Sequence, residues 1–155
     1  MTGTSATDYV EVYDEPLHRV RYRNRYALIY TVNIPRGVTT LWHRHQEDTM
    51  YLAVRDVAVS ERVEDRAPVL TRVPCGATVA RNHKADPLIH EVTNAGDDFV
   101  HFFAMEAHDV PPVAQPHALA IAGHELAWQS ARFRVYRVVA PADAPLVTDY
   151  ELFGA

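Results

Sequence analysis

The sequence predicts an all-β fold, a barrel or sandwich of short strands, on three observations. Apolar and β-branched residues come in short runs rather than at helical spacing. Turn-forming clusters punctuate those runs at Pro35-Arg36-Gly37, Pro74-Cys75-Gly76, Asn94-Ala95-Gly96-Asp97-Asp98 and Pro111-Pro112. A chain of 155 residues, 48 % of them hydrophobic, is also long enough to close a core without disulfide or metal staples. One domain over 1–155 is expected.

Taken in order, strands are expected at 9–13, 17–22 and 26–34, the last running into Pro35. Strands at 39–43, 49–54 and 57–63 follow, and the charged run Glu61-Arg62-Val63-Glu64-Asp65-Arg66 reads as a solvated turn. Strands at 69–73 and 78–81 flank the Pro74-Cys75-Gly76 turn, and those at 88–93 and 99–106 flank the Asn94-to-Asp98 turn. In the last of these, Phe99, His101, Phe103 and Met105 share one face, and Val100, Phe102, Ala104 and Glu106 share the other. Beyond Pro112, a short helix at 119–128 and a final strand at 133–139 are expected.

Charge and cysteine content exclude several functions. Fifteen Lys+Arg against twenty Asp+Glu give a net charge of -5, so no basic field gathers phosphates and no nucleic-acid partner is expected. No apolar run approaches the ~18 residues of a membrane span, and no membrane partner is expected. Residues 1–14 are polar and acidic, unlike a secretory signal. Cys75 is the single cysteine, which forbids an internal disulfide and a thiolate cage for zinc. A cytoplasmic protein is expected, and any metal site must come from the nine histidines and the carboxylates.

The segment Thr39-Thr40-Leu41-Trp42-His43-Arg44-His45-Gln46-Glu47-Asp48 is the candidate. Residues two apart on a strand share a face with α-carbons about 6.5 Å apart, so His43 and His45 can converge on one ion while Arg44 faces away. An H-x-H pair has a chance expectation of about 0.5 in this composition; a glycine at a fixed offset, here Gly37, lowers it to about 0.02. Downstream, Gly76 precedes a short strand, and His90-Glu91-Val92-Thr93-Asn94 follows. The bland alternative for each histidine is a structural or surface role.

With these residues the chain resembles the cupin superfamily, whose first motif is G-x5-H-x-H-x3 or 4-E and whose second is G-x5-P-x-G-x2-H-x3-N. Gly37, His43 and His45 match the first; Gly76, His90 and Asn94 match the second. The likeness spans roughly residues 26–106. It implies a double-stranded β-helix (a cupin or jelly-roll barrel) with a barrel core at about 17–110 and a short C-terminal extension at 111–155. It also implies one divalent metal held by His43, His45 and His90. Two departures stand out. Thr49 and Met50 occupy the places of the family glutamate, leaving Asp48 (or Glu47) as the nearest substitute, and Asn82-His83-Lys84 replaces P-x-G, with three extra residues before His90.

Three imidazoles, with or without Asp48, leave coordination positions open, as catalytic sites require. The expected function is a small-molecule metalloenzyme, with Fe(II) as the ion and oxygenase-type chemistry as the reaction. Zinc, nickel or manganese is the alternative, with Lewis-acid lyase, isomerase or cyclase chemistry, and a non-catalytic metal-binding or ligand-binding protein is the reading from another class. His83 is the candidate proton-transfer residue, by position and by the near-neutral pKa of histidine. His101 is the candidate substrate contact. Sheet edges and the tail from Pro111 predict a homodimer.

Overall fold

The structure, a computed structural model, describes residues 8–109, 120, 122–130 and 132–138, and every regular element within them is a strand. In chain order these are β1 (Val10–Glu11), β2 (His18–Arg23), β3 (Ala27–Ile34), β4 (His43–His45), β5 (Asp48–Ala53) and β6 (Val57–Val63). They are followed by β7 (Val69–Val73), β8 (Thr78–Arg81), β9 (Leu88–Asn94), β10 (Val100–Ala107), β11 (His124–Gln129) and β12 (Arg134–Val138). Two five-stranded sheets form, one ordered β1-β4-β9-β6-β7 and the other β2-β3-β10-β5-β8. From β3 onward the chain crosses between the sheets at almost every turn, which winds it into a two-layered β-helix.

Period-two burial explains why the layers close. Along β3, Leu28, Tyr30, Val32 and Ile34 are buried while the residues between them are only partly so. Along β10 the buried positions are Val100, Ala104, Glu106 and Ala107, with Phe102 on the face of the first three. Leu28, Tyr30, Val32, Ile34, Val100 and Ala104 meet Val57 and Val73 of the opposite sheet in one apolar cluster, the favourable burial that holds the sheets together.

The motif glycines and Asn94 act through the backbone. Gly37 and Gly76 have φ of +69° and +77°, a left-handed conformation that is strained for residues with a Cβ. Asn94, 2 % exposed, donates from Nδ2 to the Ile34 and Asp98 carbonyls and accepts from Gly96 N, so one buried amide ties the end of β3 to the β9–β10 turn. Asn94 thereby fixes the end of β9, the strand that carries His90.

The sequence reading needs correction at three places. The strand expected at 39–43 begins only at His43; Thr39 makes an isolated bridge to Thr93. Of the helix expected at 119–128, residues 124–128 lie in strand β11 and 122–123 form a turn before it, because pairing with β12 and the packing of Trp128 on Phe133, 4.9 Å between ring centres, override its Ala- and Leu-containing composition. The charged run from Glu61 is a turn only at its end. Glu61, Arg62 and Val63 close β6, and Asp65 supplies the turn with φ +59°. Most of the expected extension, 110–119, 121, 131 and 139–155, lies outside the described residues.

Candidate metal centre

Strand alternation turns His43 and His45 of β4 inward, 1 % and 0 % exposed, while Arg44 points out to pair with Glu11 and cover the Tyr9 ring. Antiparallel pairing of β4 with β9 places His90 directly opposite His43. The ligand nitrogens of His43, His45 and His90 lie within 4.8 Å of one another, and His43 Nε2 stands 3.0 Å from His90 Nε2.

Each imidazole is oriented through its other nitrogen. His43 Nδ1 donates to the Leu41 carbonyl at 2.8 Å. His90 Nδ1 donates to Glu61 Oε1 at 2.5 Å, a bond that holds the Glu61 carboxyl below its ordinary range despite burial. His45 Nδ1 stands 3.2 Å from Glu106 Oε1 and 3.3 Å from the Tyr51 hydroxyl. Burial holds the Glu106 carboxyl above its ordinary value, with His108 pulling the other way, and a more basic carboxylate grips the His45 proton harder. These anchors leave three Nε2 lone pairs facing one point.

That arrangement is uncomfortable without a cation. His45 Nε2 is buried with no hydrogen-bond partner among the described residues. The two Nε2 atoms at 3.0 Å can satisfy each other only if one of the rings takes up a second proton, because both Nδ1 atoms hold their protons toward acceptors. Protonation is not an easy remedy. Burial, reinforced by the neighbouring His90 and His18, pushes His43 down to about 2, and burial drives His45 well below its usual value. A soft-to-borderline divalent ion satisfies all three nitrogens at once, so the residues fit a metal.

The centre opens onto a cavity of about 140 Å3 whose walls are mainly apolar, including Val32, Ile34, Val59, Val73 and Phe102. His83 lines it, 4 % exposed and stacked on His45 with ring centres 5.1 Å apart. Its Nε2 has no partner among the described residues, and a hydrogen bond with the Asp86 backbone therefore engages the other nitrogen. Burial lowers the His83 pKa, keeping the ring neutral. His18 lines the same cavity edge-on to His43, its Nδ1 donating to the Val12 carbonyl and its pKa lowered by burial to about 4.

Two sequence candidates fall elsewhere. Asp48 is buried at the start of β5, but it is not one of the clustered donors, and its Oδ1 accepts the Lys84 N–H at 3.2 Å. It thus holds the loop that carries His83. His101 is corrected by strand parity: Val100 and Phe102 face the cavity, so His101 takes the other face and stacks on Phe99 at 6.0 Å. Glu47 completes the loop's support, accepting from Lys84 Nζ at 2.9 Å and from Arg132 Nη1 of the β11–β12 hairpin at 2.5 Å.

Glu61, Glu106, Tyr51 and His18 are the site residues that sequence reasoning missed. Parity carried the signal for Glu106, grouped with Val100, Phe102 and Ala104. It also carried it for Glu61, which continues the inward series Val57 and Val59. For His18 there was none.

Solved structures similar to this chain share its architecture. A cupin domain from Bordetella pertussis matches with a TM-score of 0.53 at 21 % identity, covering 58 % of this chain and 90 % of that one. An RmlC-like cupin family protein with a double-stranded β-helix fold from Methanocaldococcus jannaschii matches with a TM-score of 0.47 at 16 % identity, covering 69 % of this chain and 86 % of its own. No protein-family profile matches the chain, and no curated protein matches it by sequence. At such identity the likeness to the Bordetella domain is one of fold.

Proposed function

From a cupin fold that gathers three imidazole nitrogens at the head of an apolar cavity, we propose that the protein is a mononuclear metalloenzyme. It holds one Fe(II) through His43, His45 and His90 and carries out oxygenase-type chemistry on a small organic molecule. The observation that carries this reading is the triple convergence of Nε2 atoms with every Nδ1 tied back.

When bound, Fe(II) supplies a redox-active centre with coordination positions left for substrate and dioxygen. The protein does the rest. Glu61, Glu106 and the Leu41 carbonyl keep the three rings in the required tautomer and orientation. The Val and Phe walls exclude water from the reacting end. His83, neutral and unpartnered at Nε2, is placed to take a proton from substrate at that atom and return it.

The test is metal analysis after anaerobic reconstitution with Fe(II), followed by oxygen-uptake measurements over a panel of small organic acids. One ion per chain with substrate-dependent uptake is expected. Absence of stoichiometric metal in the wild type overturns the reading. Metal without uptake moves the assignment to Lewis-acid chemistry or to ligand capture without turnover.

A further inference from the structure

The metal reading leaves one charged side chain in the cavity wall without a task. Arg81 is the single lysine or arginine among the described residues that line the cavity. It ends β8 on the same face as Val79, which pairs with Tyr51 in register, so it belongs to the inward row although its guanidinium is exposed. Among the described residues it makes no hydrogen bond and no ion pair within 4 Å, in contrast to Arg44, Arg62 and Arg132, each bound to a carboxylate. It stands as an open two-pronged donor at the cavity mouth, the geometry that suits a planar carboxylate.

A count of charge at the site points the same way. Neutral imidazoles bring nothing to offset a divalent ion, and no carboxylate joins the clustered donors. Glu61, the one carboxylate among the described residues that line the cavity, is engaged by His90, and Glu106 adds a second negative charge behind His45; against these two stand Arg81 and the divalent ion. The loaded site therefore has a surplus of positive charge that an anionic substrate offsets. A single guanidinium, with no second cation beside it, suits a singly charged group better than a phosphate dianion. The volume of about 140 Å3 limits the body to about the size of a benzene ring, and the valine, isoleucine and phenylalanine walls require it to be apolar.

We infer that the substrate is a small carboxylic acid with a compact apolar or aromatic body, its carboxylate gripped by Arg81 at the mouth and its body directed down the cavity toward the three histidines. This rests on the metal reading for the direction of the body, whereas the carboxylate site rests on Arg81 alone. The probe is benzoate, with benzamide as its neutral isostere, titrated calorimetrically into metal-free and Zn(II)-loaded protein. Wild type should bind benzoate at least tenfold tighter than benzamide in both forms. Arg81→Met should bring the two ligands within about twofold of each other, with a melting temperature and far-ultraviolet circular dichroism spectrum matching the wild type's to report an intact fold, and Arg81→Lys should keep part of the preference.

A wild type that shows no preference, or no saturable benzoate binding, overturns the inference. So does an Arg81→Met variant that keeps the full preference, since the carboxylate would then be seeking the ion instead. Failure of the metal reading has a different signature: no stoichiometric metal, yet an Arg81-dependent preference in the metal-free protein.

Discussion

The two sheets contribute unequally to the centre. The β1-β4-β9-β6-β7 sheet supplies all three candidate donors and Glu61, whereas the facing sheet supplies no donor but contributes Glu106, Tyr51, His18 and Arg81. In the donor sheet the geometry is a matter of backbone register, with His43 opposite His90 and His45 two residues along the same strand. A slip of one residue would turn every one of those rings to the outside. The facing sheet works across the interior through side chains, as when Glu106 reaches His45 at 3.2 Å. Removal of a donor ring should therefore act all or none, and changes to the groups that orient those rings, Glu61 in the same sheet and Glu106 in the facing one, by degrees.

The largest effect expected is from His43→Ala or His90→Ala, each reducing bound Fe(II) from one per chain to below a tenth, as read by elemental analysis. Retention of half or more by either variant would sink the contrast between the donor rings and the groups that orient them. Asp48→Asn should keep its metal, because that carboxylate serves the Lys84 backbone. Next in size are Glu61→Gln and Glu106→Gln, with metal affinity lowered about 10- to 100-fold by competition titration. Glu61→Gln should be the worse of the two, its bond to the histidine being 2.5 Å against 3.2 Å.

The metal-free protein should also be acid-sensitive. His18 and His43 titrate near 4 and 2 in the folded chain and near 6.5 when unfolded, so below pH 6.5 the unfolded state takes up protons that the folded state refuses. The stabilisation is complete above about pH 6.5 and is lost as pH falls toward 4 and then 2, His18 alone accounting for about 2 kcal/mol by pH 5. Thermal melts at pH 7.5 and 5 should differ by several degrees; coincident melts would refute the burial argument. The smallest effect is that of Lys84→Met, whose pair with Glu47 is half-exposed on the lysine side. Its melting temperature should stay within about 2 °C of the wild type's, while amide exchange at residues 82–86 quickens.

Much of this was legible in the sequence, and the unread part has physical reasons. Gly37 and Gly76 sit where φ is positive, and His43 and His45 share a strand face, so spacing alone encoded turn and convergence. Parity was readable in β10, yet the face that includes His101 looked as apolar as the one with Glu106, and only burial distinguishes them. Glu61 was hidden in a run of charges, although it continues the inward alternation of β6. The expected helix failed because strand pairing, a non-local property, decided its state.

The twofold grip of Glu47 has a consequence for communication along the chain. One carboxylate serves both the ammonium beside His83 and the guanidinium of the distant hairpin. Lifting the hairpin away, whether by a protease or by a binding protein, strips that carboxylate of one of its two cations and leaves its whole charge on Lys84. News from the far end of the polypeptide would thus arrive at the cavity entrance as a change in how firmly a single loop is clasped.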